Sequence, residues 1–185
     1  MSRLLGALLL AATAAAPAPG NSPEGYQRAK WGMSVDDVKA LYEKAIDGDQ
    51  ARKIKPGMFD KKGDFVLAET TILKRKAYAT FSFGKKGLED VVVRPDEEKA
   101  ENCPRLAEAY EEKYGAPKEK SLEDTADLYL ASYAWQLAET RIEFDCSSIR
   151  TKAGLAKMKK KEPDAVFPAA LPADAVRVHY LRKAK

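Results

Sequence analysis

Ala77-Tyr78-Ala79-Thr80-Phe81-Ser82-Phe83 runs into Gly84-Lys85-Lys86-Gly87, then Leu88 to Arg94 follows and Pro95 closes the stretch. Ala77, Ala79, Phe81 and Phe83 alternate with Tyr78, Thr80 and Ser82, the period of a strand with one buried face. The glycine-bounded tetrapeptide is a hairpin connection, so the returning segment pairs antiparallel. The fold is therefore read outward from a two-faced antiparallel sheet.

The same test finds more strands. Phe65 to Leu73 is rich in β-formers. From Leu128 to Leu137, Tyr129, Ala131, Tyr133, Trp135 and Leu137 line one face. Thr140 to Cys146 sets Ile142, Phe144 and Cys146 against Arg141, Glu143 and Asp145. Ala175 to Leu181 sets Val176, Val178 and Tyr180 against His179. Two segments carry helical spacing instead. Ser34 is an N-cap, with Asp37 placed in the first turn. Val35, Val38, Leu41, Tyr42, Ala45 and Ile46 then give a helix over 34–46, ended by Asp47-Gly48-Asp49. A second helix lies within 96–114, with a stripe of Cys103, Leu106, Ala107, Tyr110 and Tyr114. Pro104 suits its first turn, and Gly115-Ala116-Pro117 terminates it. Residues 50–64 read as a polar loop, and 147–173 as a short exposed helix followed by a loop. The order helix, three strands, helix, three strands predicts an α+β fold of tandem helix-plus-three-strand units. They form one antiparallel sheet with two helices packed on its Phe81/Trp135/Phe144 face.

The chain's start indicates its compartment. Met1-Ser2-Arg3, the apolar run Leu4 to Ala16 and Pro17-Ala18-Pro19-Gly20 have the layout of an export leader. Cleavage after Ala14 fits best, with Ala16 and Ala18 left open. The run is short of the roughly 20 residues of a membrane span. The expected division is leader 1–16, flexible lead-in 17–29 and a single α+β domain 30–185, periplasmic or extracellular. At 45% hydrophobic and 32% charged the composition is that of an ordinary soluble globule. The net charge of +4 is too small to argue for nucleic acid, and export argues against it. Cys103 and Cys146, an even pair in an oxidising compartment, read as a disulfide. Each lies on the apolar side of its element, so both thiols can enter one layer.

The catalytic inventory is thin. His179 is the single histidine, which leaves no cluster for zinc, and no nucleophile elbow or phosphate-binding glycine loop occurs. Asp36-Asp37, Glu97-Glu98 and Glu111-Glu112 are sequence neighbours that do not face one another on a helix. No catalytic residue, metal ligand or cofactor is assigned. The informative surface is the sheet face away from the helices, where alternation places Tyr78, Thr80, Ser82, Leu128, Leu130 and Gln136, with Arg141, Glu143 and Asp145 on the edge. Two readings stand: an open binding face with a modest apolar patch, or a face covered by residues 147–173. Lys157, Lys159, Lys160 and Lys161 form a basic run suited to an anionic surface.

Trp31-Gly32-Met33-Ser34-x-x-x-Val38-x-x-Leu41 resembles the helix-opening motif of small bacterial envelope domains of the outer-membrane-assembly lipoprotein type (SmpA/OmlA). Gly115-Ala116-Pro117 resembles their closing turn, and the layout over 34–145 is similar to the β-lactamase inhibitory protein architecture. The resemblance implies a sheet that binds another envelope protein. No cysteine near the leader could take a lipid, and no family binding residue maps onto this chain. The expected function is an exported, non-enzymatic protein-binding or envelope-assembly module. The alternatives are a carrier of an apolar ligand or lipid between helices and sheet, and a carboxylate-dependent hydrolase.

Overall fold

The segment 77–83 is the middle of a three-strand meander. In the computed structural model, which describes residues 23–54, 64–72, 74–97, 99–163, 167 and 170–183, the chain starts with β1 (Gly25–Tyr26) and β2 (Ala29–Lys30). There follow α1 (Val35–Leu41), β3 (Ile46–Asp47), α2 (Gly48–Ile54), β4 (Phe65–Ile72), β5 (Arg75–Gly84) and β6 (Gly87–Pro95). After a 3-10 turn at Ala100–Asn102 come α3 (Cys103–Tyr114), β7 (Glu119–Asp124), β8 (Leu128–Gln136), β9 (Thr140–Ile149), α4 (Lys152–Lys161) and β10 (Ala173–Arg182). β1 and β2 pair as a separate ribbon. The other eight strands form one antiparallel sheet in the order β3-β4-β5-β6-β10-β9-β8-β7.

This corrects the tandem-unit fold. The second meander is β7-β8-β9, and β10 belongs to neither set of three: it pairs with β6 on one side and β9 on the other. A continuous eight-stranded sheet with four short helices replaces two helix-plus-three-strand units with two packed helices. Local alternation shows that 173–182 is a strand, but its two neighbours come from pairing partners remote in sequence. β7 escapes alternation because Glu-Lys-Ser-Leu-Glu-Asp has no apolar face. The polar stretch read as a loop begins with α2, since Asp47 Oδ1 accepts the Gln50 amide at 2.9 Å and starts a helix where a stop was expected.

α1 opens as its sequence dictates. Ser34 Oγ accepts the Asp37 amide at 3.2 Å and Asp37 Oδ2 accepts the Ser34 amide at 3.1 Å, a reciprocal box. The Ser34 hydroxyl, donating to Asp37 Oδ2 at 2.7 Å, and then the Ser34 amide hold the Asp37 carboxyl below its usual range. The helix ends at Leu41, earlier than periodicity predicts. Tyr42 turns to an extended conformation (φ −129°, ψ 116°) and sets its ring 5.1 Å from that of Phe81. Pro104 occupies the first turn of α3, and the α3 stripe from Cys103 to Tyr114 is buried as expected.

The main core lies between one sheet face and a layer made of α1, the β1-β2 ribbon and α3. Phe81, Phe144, Val91 and Val178 are fully buried, and Trp135 is 1% exposed. Tyr26 and Ala29, at the end of the stretch read as lead-in, are buried in this core. Residues 1–22, including the leader and its cleavage site, lie outside the described residues, as do 55–63 of the predicted loop. Among the described residues no helix is long and apolar enough to cross a membrane. Cys103 and Cys146 form a disulfide with a Cα–Cα distance of 6.3 Å, tying the start of α3 to β9. Such a bond belongs to an oxidising compartment outside the cytoplasm.

Tyrosines fill the centre of this layer. The Tyr110 and Tyr180 hydroxyls share a hydrogen bond of 2.7 Å. Burial raises the pKa of both hydroxyls and of Tyr26, and pushes that of Tyr42 up to about 12. A raised folded-state value means that the stabilisation is complete below the unfolded tyrosine value near 10 and is lost above it. Unfolding free energy is therefore expected to fall steeply above pH about 10, by about 1.4 kcal/mol per pH unit for each such tyrosine still protonated in the fold. Denaturant titrations through the alkaline range, paired with ultraviolet titration of tyrosinate, measure this. A flat profile would contradict burial of the tyrosine layer.

Candidate functional site

The other sheet face carries the candidate site. Strand pairing builds one row through all eight strands: Ile46, Leu67, Thr80, Val92, His179, Glu143, Ala134 and Glu119. A second row runs Phe65, Ser82, Asp90, Leu181, Arg141 and Gln136. On further rows Tyr78 lies between Glu69 and Arg94, and Asp145 between Arg177 and Ser132.

The sequence-predicted residues do share this face, but they do not form one patch. Ser82 and Gln136 sit in one row four strand spacings apart, roughly 19 Å. Leu128 is fully buried and Leu130 partly so, because they pack with Ile149, Leu155 and Met158 beneath α4. Covering by residues 147–173 thus holds at this end of the face, and Leu128 is core. α4 settles there through local chemistry. Thr151 Oγ1 accepts the Gly154 amide at 3.2 Å and caps the helix. Gly154 lies so close to the Asp127 carbonyl that a Cβ would sit 2.3 Å from the oxygen. At the opposite end Gly48 of α2 rests on the Phe65 ring. Between these covers the face is half-exposed and polar: Tyr78, Thr80, Val92, His179, Glu143 and Asp145 are all of intermediate burial.

Arg141, Glu143 and Asp145, expected on an edge, are interior, since β9 lies between β10 and β8. The charges are paired both across strands and, for Arg141 and Glu143, along one strand. His179 Nε2 lies 2.7 Å from Asp90 Oδ1, and Nδ1 lies 3.8 Å from Glu143 Oε2. Arg141 Nε donates to Glu143 Oε1 at 2.6 Å, which raises the guanidinium above its ordinary value, and its other arm reaches Glu119 at 3.4 Å. Arg177 Nε and Ser132 Oγ both donate to Asp145, at 3.0 and 2.9 Å. Val92, Asp90, His179 and Arg177 are the site residues that sequence reasoning did not select. The sequence did place His179 opposite Val178 and Tyr180, but not β10 at the centre of the sheet.

The basic run lies on exposed positions of α4, apart from the buried Met158. Lys157 and Lys161 both bind Glu123, with Lys157 the larger cause of its lowered carboxyl value, while Lys159 and Lys160 are exposed. No group of three or more His, Cys, Asp or Glu side chains suited to a metal occurs among the described residues. The chain matches no family model, no curated protein and no solved structure.

Proposed function

We propose that this is an exported, non-enzymatic protein-binding module that docks a partner on the polar sheet face between α2 and α4. One observation carries the reading: Arg177 and His179 are held by cross-strand bonds to Asp145 and Asp90, and Arg141 by Glu143 on its own strand, on a half-exposed face with Tyr78 and Arg94 beside them. Side chains already fixed lose little conformational freedom on binding, and tyrosine and arginine are the residue types that anchor protein interfaces. The face carries both signs of charge, so it suits a protein of mixed charge, consistent with another envelope protein in the periplasm or outside the cell.

The alternatives have less support. Phe81, Trp135 and Phe144, each 1% exposed or less, fill the space between helices and sheet where a carried apolar ligand would sit. Asp90, Glu143 and Asp145 on the polar face each contact a cationic or titratable nitrogen, which suits them poorly to act as a hydrolytic acid–base pair.

The test is a double variant, Tyr78→Ala with Arg177→Glu, recovered from cells beside the parent chain. Both sites are at least partly exposed, so the melting transition should move little, while recovery of the bound partner should fall at least tenfold, the size of an interface anchor. Undiminished recovery of the same partner would refute docking on this face.

A further inference from the structure

We infer that the free edge of β7 pairs with β7 of a second copy, extending the sheet across a two-fold axis at Leu122. β7 ends the eight-stranded sheet and pairs only with β8. Thr125 N donates to Leu128 O at the end of that ladder. Antiparallel strands alternate between residues bonded inward and outward, so the N–H and C=O groups of Lys120, Leu122 and Asp124 point away from β8. Such an edge is a template for another strand; its charges, Glu119, Lys120, Glu123 and Asp124, are of both signs, so they deter most strands but can pair with a second copy. Leu122 is 58% exposed, the one exposed large hydrophobic residue among the described residues.

The sequence of the edge selects the occupant. Antiparallel pairing of Glu119-Lys120-Ser121-Leu122-Glu123-Asp124 with itself, centred on Leu122, sets Leu122 against Leu122, and Lys120 against Asp124 twice, all on one face. Centring on Ser121 instead opposes Glu119 and Glu123, and centring on Glu123 opposes that residue with itself, so like charges disfavour both neighbouring registers. Within one chain Lys120 lies 3.6 Å from Glu111 and Asp124 2.8 Å from Arg150, exposed and solvent-screened pairs that exchange readily. An isologous contact of this kind closes as a dimer and leaves no new edge.

The experiment is light scattering of the purified, disulfide-intact protein from about 1 µM to about 1 mM. The mass is expected to rise from one chain to two, with Leu122→Lys weakening association at least tenfold. Lys120→Asp should weaken it as well, and adding Asp124→Lys to that variant should restore it, which a merely sticky edge would not show. Under mild oxidation Leu122→Cys should give a covalent dimer, whereas Ser121→Cys, on the other face and out of register with itself, should not. A monomer at every concentration, a dimer indifferent to the charge reversal, or equal trapping of both cysteines would overturn the inference. So would trapping of Leu122→Cys onto a different protein in preference to itself. None of these results depends on the polar face, so docking there stands or falls separately.

Discussion

Leu128→Arg is expected to unfold the end of the sheet beneath α4 and to lower stability by about 3–5 kcal/mol, the range of an unpaired charge forced into an apolar core. Leu128 is fully buried and packs with Ile149 and Met158, with Leu130, Leu155, Phe167 and Leu171 around them. Nothing in that cluster can pair a guanidinium. Urea titration followed by circular dichroism gives the magnitude, and Leu130→Arg, at a half-buried neighbour on the same face, should cost less. An unchanged midpoint for Leu128→Arg would mean that α4 does not cover this end, and the candidate face would then extend across β8.

Removing the disulfide is the second large effect. The bond closes a loop of sequence separation 43 between the first turn of α3 and the middle of β9. In the chain-entropy view such a cross-link is worth about 4 kcal/mol through the unfolded state. Cys103→Ala with Cys146→Ala is expected to lose about that much, and reduction of the parent chain under denaturing conditions should have a similar effect on refolding. Both residues are 3% exposed or less, so the native bond should resist mild reductant while the chain stays folded. Intact mass before and after full reduction should differ by two hydrogen atoms, the protons and electrons that turn the disulfide into two thiols. Equal masses, or a double variant as stable as the parent, would contradict the staple.

Much of the sheet was legible because its residues declare their faces locally. Phe81, Ile142, Phe144 and Cys146 alternate with polar residues, and each is buried as that alternation requires. Ser34, Pro104 and Cys103 likewise act where their local chemistry puts them. What could not be read was non-local. Nothing in Val176 to Leu181 says that β10 will lie between β6 and β9, yet that placement brings His179 between Asp90 and Glu143 and makes Arg141 interior. β7 was hidden because its ladder is made by backbone groups and its side chains are polar. Leu128 lies on the face its alternation predicts, and of the open and covered readings left standing there the covered one holds at this end. The sequence could not choose because the covering helix is lysine-rich and brings Leu155 and Met158, with Phe167 and Leu171 beyond it.

The most direct measurement is photo-crosslinking in living cells from a reactive residue placed at position 80, with position 108 on the exposed side of α3 as the control. Thr80 stands in the row through all eight strands, between Leu67 and Val92. Docking on the polar face requires one reproducible protein adduct from position 80 and none above background from position 108. The same adducts from both positions, or none from position 80 while the chain is folded and exported, would contradict it.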